Sequence, residues 1–182
     1  IDEAALPGVA ERYRQATTIE AELCGSGYAA IGLDHFALPD DGLTAAAANR
    51  TLRRNFQGYT TDVSDALLSF GASAIGEFPQ GFVQSARDTL EWSQRIDRNE
   101  SPVTRGLATT AEDRMRADVI ERLMCDLSVD PATIAARHGF PADIFSNVEH
   151  RLGDASRAGI VRIESGRVIV PPVALYFAYG SN

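Results

Sequence analysis

The sequence contains no lysine, so all 17 basic residues among its 182 are arginines. That absence removes Schiff-base chemistry, a phosphate-loop lysine and an amine general base. There are only two cysteines, Cys24 and Cys125, far apart and without a CxxC or His/Cys cluster around them. The expectation is two reduced, buried thiols in a cytosolic protein. The three histidines, His35, His138 and His150, show no metal-ligand spacing. No apolar run approaches the ~20 residues of a membrane span, and no basic-then-apolar leader opens the chain. A soluble protein without a membrane partner is expected. Positive charge is scarce as well, since 25 acids against 17 arginines leave a net charge of -8. A general nucleic-acid or anionic-membrane surface is thereby disfavoured. The chain opens at Ile1 with no methionine, and is read as an N-terminally truncated piece of something longer.

What is present begins with 45% hydrophobic residues, enough to bury a core in one large domain or two small ones. Two stretches stand apart from that core-forming composition. The first, Arg54-Asn55-Phe56-Gln57-Gly58-Tyr59-Thr60-Thr61, gathers hydrogen-bonding side chains around a single glycine. It reads as a polar lining. The second, Gly71-Ala72-Ser73-Ala74-Ile75-Gly76, is a run of small residues that lets a backbone approach something flat while its N–H and C=O groups remain available. It reads as a ligand wall. The bland alternative for each alone is an ordinary loop punctuated by glycine and threonine.

In chain order, apolar residues at three- and four-residue steps predict an amphipathic helix over Ala4 to Cys24, stopped by Gly25 and Gly27. Tyr28 to Phe36 then reads as one buried strand, giving half of a parallel βαβ layout with Asp34 and His35 at its C-terminal end. Asp41 or Thr44 can cap an alanine-rich helix over Leu43 to Arg54, on which Arg50, Arg53 and Arg54 form a solvated face. Ala66 to Ile75 reads as a second strand, and Phe82 to Ile96 as a helix with Trp92 half-buried. Asn99-Glu100-Ser101-Pro102 has loop composition and marks a domain boundary. The sequons at Asn49 and Asn99 are chance matches.

Beyond that boundary, Thr109 or Thr110 can cap a helix to about Cys125 with Glu112 and Asp113 in its first turn. Helices starting at Asp130-Pro131 and at Pro141 follow. Ile160 to Val170 reads as two strands about a Ser165-Gly166 turn. Three helices and a hairpin make a winged-helix layout. From Gly106 onward, ten acids face eight arginines, so the positive surplus that phosphate binding needs is missing and no nucleic-acid partner is expected.

Taken together, GYAAIGLDHFALPDD over Gly27 to Asp41, LRRNFQGYTTD over Leu52 to Asp62, GASAIG and the RGLATTAEDRMRADVIERLMCD run resemble, in order and spacing, the C-terminal portion of the oxygen-independent coproporphyrinogen III oxidases. These are radical S-adenosylmethionine enzymes of heme biosynthesis. The resemblance covers about Ile1 to Val170, and RNFQGYTT is its most specific block, since the sibling heme-chaperone branch lacks it.

The resemblance implies a radical oxidative decarboxylation of two propionates of coproporphyrinogen III, using S-adenosylmethionine, a 4Fe-4S cluster and an electron-donor protein, in a cytoplasmic monomer. It implies that Gln57 and Ile75, with neighbouring Ala74, contact S-adenosylmethionine. Asp34, His35, Asn55, Tyr59 and Thr60 are further candidates for lining the site. The fold implied is α/β plus α. Residues 1–100 would be the last helix-strand units of an incomplete parallel, TIM-like barrel, and residues 101–182 a winged-helix-like, mainly helical domain. Two departures bear on it. The cluster motif CxxxCxxC is absent, and two distant cysteines cannot replace three thiolates, so catalytic and metal-binding residues are expected to lie outside this chain, which alone should be inactive. Leu38 stands where the family often has arginine, and after Pro171-Pro172, where the family continues through a longer segment into a final helix, either the tail diverges or a disordered stretch is left out. A radical S-adenosylmethionine heme chaperone is the nearer alternative, and a winged-helix DNA-binding regulator the more distant one.

Overall fold

The computed structural model describes residues 6–55 and 58–171. They fall into two compact units. One holds the described residues up to Thr61 and from Met115 onward, and the other is Asp62–Arg114.

The first unit begins with helix α1, Val9–Gly25, none of whose described residues is fully buried. The glycine stop is as expected, because Gly27 takes a positive φ of 91° after the C-cap Ser26. Tyr28 to Phe36 is not one parallel strand. It folds back on itself as β1, Ala29–Gly32, and β2, His35–Ala37, paired antiparallel with Ala30 opposite Phe36. The reversal occurs at Leu33, which sits at φ 48°, and Asp34. Asp34 therefore lies in a turn and His35 opens the return strand, rather than both ending a parallel one.

Helix α2, Gly42–Ala48, is capped by Asp41, whose Oδ1 accepts from Leu43 N at 2.7 Å. It stops well short of Arg54. Arg50 adopts φ 57° and Thr51 N bonds back to Ala46 O at 2.9 Å, a closing pattern that releases the chain into an extended path. Arg53 and Arg54 consequently belong to a strand and not to a solvated helix face. That strand, β3, Arg53–Asn55, pairs antiparallel with β4, Gly58–Thr60. Ile31, Ala37, Ala46, Leu52 and Tyr59 from these elements form one core with Cys125.

In the second unit the stretch Ala66 to Phe70 is mostly irregular, touching a strand only through the Leu67–Glu77 bridge. The strands are β5, Ile75–Phe78, β6, Gly81–Ser85, and β7, Val103–Ala108, in spatial order β5-β6-β7 and antiparallel throughout. Helix α3 is only Thr89–Asp97, capped by Asp88, whose side chain accepts from Glu91 N at 2.8 Å. Its expected first turns are the strand β6, because Phe82 and Val83 find cross-strand partners in Leu107 and Gly106. Trp92 is half-buried, as expected. The β6–β7 pairing runs across the boundary expected near residue 100.

Helix α4, Ala111–Asp126, starts with a reciprocal cap in which Thr110 Oγ1 accepts from Asp113 N at 3.1 Å and Asp113 Oδ2 accepts from Thr110 N at 2.9 Å. Within the first unit, strand β8, Ser128–Val129, precedes α5, Pro131–Arg137. A 3-10 helix, Ala142–Val148, leads into α6, Glu149–Arg157, where one continuous helix was expected. The hairpin β9, Arg162–Glu164, and β10, Arg167–Ile169, turns at Ser165-Gly166, and β8 adds to it in the order β8-β10-β9. A second core of Met115, Val129, Ile134, Ala135, Val161 and Val168 lies beneath.

The architecture is thus mixed helix and strand, as expected. Every named ladder among the described residues is antiparallel, and none is part of a closed barrel.

Candidate functional site

The RNFQGYTT block is built as the short β3–β4 strand pair, with Arg53 opposite Thr60, Arg54 opposite Tyr59 and Asn55 opposite Gly58. Phe56 and Gln57, the link between those strands in sequence, lie outside the described residues. The pair brings together four of the five lining candidates on its own residues and on the β1–β2 turn. Asn55 Oδ1 accepts from Gly58 N at 3.2 Å, which closes the strand ends. Tyr59 is buried, its ring edge-on to that of His35 with centroids 5.0 Å apart at 85°. The Arg54 guanidinium also lies over the ring, 4.8 Å from the Tyr59 centroid. His35 Nδ1 lies 3.0 Å from Asp34 Oδ1, so the carboxylate and the tyrosine edge fix the imidazole orientation between them.

Gly58 explains why these rings fit. At φ 142° with His35 Nε2 2.5 Å from where a Cβ would stand, only a residue lacking that atom leaves the imidazole in place. Thr60, the fifth candidate, is half-buried at the far end of the pair opposite Arg53.

Ala74 and Ile75 belong to the other unit. GASAIG is a turn followed by a strand, with Ser73 at φ 62° and β5 beginning at Ile75. Glu77 exchanges both backbone bonds with Leu67, N–H to O at 3.0 Å and O to N at 2.8 Å, on the side away from β6. Alternation along the strand then turns the N–H and C=O of Ile75 to the same outer side. Ala74 O faces inward instead and accepts from Ser85 N at 3.0 Å. Ile75 therefore offers both backbone groups and a half-exposed side chain at the open sheet edge.

Three residues that sequence reasoning passed over prove to be tied to the start of the polar block or to the backbone just before it. Glu121 Oε1 accepts from Arg53 Nε and from Arg54 N, each at 3.3 Å. Arg122 Nη2 donates to Leu52 O at 2.7 Å and its Nη1 to Arg50 O at 3.3 Å, while Asp126 pairs with it at 3.2 Å. Arg54 itself has a buried Nη1 with no hydrogen-bond partner among the described residues. In the sequence nothing sets Glu121 and Arg122 apart from the other charged residues of that helix. Only the close of α2 at Ala48 brings the following backbone to them.

Of the two thiols, Cys125 is buried as expected, and burial pushes its pKa up to about 11, against the lowering influence of Arg122 and Arg54 nearby. Cys24 is exposed on α1, contrary to expectation, because that helix buries little of its surface. Among the described residues no three His, Cys, Asp or Glu side chains group as a metal would require, and no helix is long and apolar enough to cross a membrane.

No family model matches the chain. Among curated proteins, the oxygen-independent coproporphyrinogen III oxidase of Bradyrhizobium diazoefficiens is 45% identical over 170 residues, covering 93% of this chain and 38% of that protein. The enzyme of the same name from Paracoccus denitrificans is 40% identical over 180 residues, covering 95% of this chain and 40% of the relative. Among solved structures, coproporphyrinogen III oxidase from Escherichia coli, described there as a radical SAM enzyme, superposes with a TM-score of 0.87 at 32% identity, covering 99% of this chain and 42% of that one. The chain thus spans about two fifths of the length of the relatives it matches. Over nearly its whole length it is thus similar to part of the oxygen-independent coproporphyrinogen III oxidases.

Proposed function

We propose that the protein to which this chain belongs is an oxygen-independent coproporphyrinogen III oxidase. It would convert coproporphyrinogen III to protoporphyrinogen IX by oxidative decarboxylation of two propionates, with S-adenosylmethionine as radical source, a 4Fe-4S cluster and an electron-donor protein. The carrying observation is the 45% identity over 93% of the chain, joined to the TM-score of 0.87. The residues of this chain do not fit the cluster. Three thiolates are required, and of the two cysteines one is sealed in a core.

What this chain contributes is binding and orientation, the usual task of protein around a reactive cofactor. Gln57 and Ile75 are the proposed S-adenosylmethionine contacts, with Ala74 beside the latter. For Ile75 the support is physical, because its N–H and C=O face the outer edge of β5 and can bond a polar ligand directly. For Gln57 the support is the RNFQGYTT block that carries it. Asp34, His35, Asn55, Tyr59 and Thr60 are proposed to shape the lining. The run from α4 to β10 is proposed as a winged-helix-like domain within residues 101–182, following the partial barrel of residues 1–100. A cytoplasmic monomer completes the proposal.

The test is anaerobic reconstitution of the full-length protein with iron, sulfide, reductant and S-adenosylmethionine. Protoporphyrinogen should form from coproporphyrinogen III. Heme binding without product would overturn the oxidase in favour of a heme chaperone.

A further inference from the structure

The unit Asp62–Arg114 has almost nothing inside it. Among its described residues the only buried ones are Gly76, Gly81, Ser85 and Ala86, and neither hydrophobic core draws a member from it. Helix α3 buries no residue fully. A small sheet becomes stable when an apolar face is covered, because burial has to offset the entropy lost in ordering the chain. Here the face that could supply that burial is turned outward.

The register of the sheet places its side chains. Residues directly opposite in adjacent strands share a face. Leu107 stands opposite Phe82 and Phe82 opposite Glu77, while Ile75 stands opposite Gln84 and Gln84 opposite Arg105. On this face the large apolar side chains are neighbours, Ile75 diagonal to Phe82, and they are open at 47% for Ile75, 37% for Phe82 and 68% for Leu107. The opposite face carries Gly76, Phe78, Gly81 and Val83, all buried or half-buried. Leu68 and Phe70, also exposed, follow the Leu67–Glu77 bridge at the edge of β5. A solvated face of an antiparallel sheet normally presents polar residues. This one has an apolar centre framed by Glu77, Gln84 and Arg105, the composition of an interface. Strand β7 is exposed along its whole length and forms an edge of the sheet, and open edges are usually covered.

Length and charge point to the occupant. The chain covers 38% and 40% of two relatives and 42% of the solved one, so more than half of each lies outside the matched part. A segment of the same polypeptide docks without the loss of translational and rotational freedom that a separate partner suffers. A second copy would instead bring together two chains of net charge -8. We propose that the outer face of β5-β6-β7, centred on Phe82 and Leu107, is a docking surface for the part of the full-length polypeptide outside this chain, which meets it with an apolar patch of its own. The inference rests on the protein being as long as its relatives, and not on the reaction or cofactors proposed for it.

The test uses the full-length protein, first with the photo-crosslinking residue p-benzoylphenylalanine in place of Phe82 or of Leu107. Cross-links within one molecule to peptides outside the 182 residues of this chain are expected from both positions. Cross-links confined to this chain's own residues would overturn the proposal. Cross-links joining two molecules would overturn it in favour of self-association. The second measurement is hydroxyl-radical footprinting of the unsubstituted protein, read by mass spectrometry. Leu107 should be oxidised at least about tenfold more slowly than in the urea-unfolded protein, as for a side chain packed in a core. Oxidation close to the unfolded rate, which an exposure of 68% gives a bare face, would overturn the proposal. The footprint needs no substitution, so it decides the matter even where a probe variant fails to fold. Neither readout depends on activity, so failure of the oxidase reading and failure of this one remain distinct.

Discussion

The phenolic hydroxyl of Tyr59 donates to the backbone carbonyl of Met124 at 2.9 Å. Met124 lies in the last turn of α4, where carbonyls have no partner further along the helix, so a side chain from β4 satisfies a group that would otherwise be orphaned. Replacing Tyr59 by Phe keeps the ring against His35 and Arg54 and deletes only the bond. The expected cost is about 1 kcal/mol, near the usual net worth of such a bond. A lowered denaturation midpoint for the variant checks it, and an unchanged midpoint would show that the carbonyl finds another donor.

Gly81 opens β6 at φ 146°, and a Cβ there would overlap the carbonyl oxygen of Leu107 on the neighbouring strand β7. The obstacle is backbone held in a ladder, so no rotamer relieves it. Gly81→Ala should destabilise the β6–β7 pairing by about 3 kcal/mol, the upper range for a strained backbone position. Faster amide exchange along Gly81–Ser85 and Val103–Ala108 is the expected readout, and wild-type exchange would refute the steric argument.

How far these features could be read from the sequence depended on whether their cause was local. Caps at Asp41, Thr110 and Asp130 were legible because each is a side chain bonding its own neighbours. The Ser165-Gly166 turn was legible for the same reason, both residues taking positive φ of 51° and 81°. Tyr28 to Phe36 was not, since an unbroken apolar run carries no mark of the reversal at Leu33, a residue that seldom adopts positive φ. Phe82 to Ile96 is helix only from Thr89, because the apolar residues at helical spacing before it also satisfied a strand once Leu107 stood opposite Phe82. In the candidate site, the glycine and the hydrogen-bonding side chains of RNFQGYTT were visible as composition. The grip of Glu121 and Arg122 was not, because its partners are backbone atoms some 70 residues earlier, at separations of 67 and 70.

The two thiols should differ sharply in reactivity. Cys24 is exposed, whereas Cys125 sits in the core with its pKa raised from the ordinary 9.0 to about 11 by burial. A thiol reagent at mild alkaline pH should label Cys24 quickly and Cys125 only on unfolding, because the thiolate is the nucleophile. The same shift has a consequence for stability. The unfolded thiol ionises near pH 9 and the folded one near pH 11, so the contribution of a neutral Cys125 is intact below pH 9 and is lost as pH rises between those values. Cys125→Ala should flatten that part of the pH profile of the denaturation midpoint, and an unaltered profile would show that the buried thiol does not drive it.

Asp130 gives the opposite sign. Its Oδ2 accepts from Thr133 Oγ1 at 2.7 Å and its Oδ1 from the N–H groups of Ala132 and Thr133 at 3.1 and 3.2 Å. The hydroxyl of Thr133, then the backbone bonds, hold the carboxyl below its ordinary value of 3.8. A depressed carboxylate stabilises the fold above the unfolded pKa, and that contribution fades as pH falls below it through the folded value. At neutral pH, Asp130→Ala should cost about 1 kcal/mol, as for loss of other N-caps. Asp130→Asn, which keeps an acceptor but not the charge, should cost less. Below pH 3.8 the gap between wild type and Asp130→Ala should narrow, measured as the difference in denaturation midpoint. A gap that stayed constant with acidification would mean that the cap acts through geometry alone, with no share from the charge.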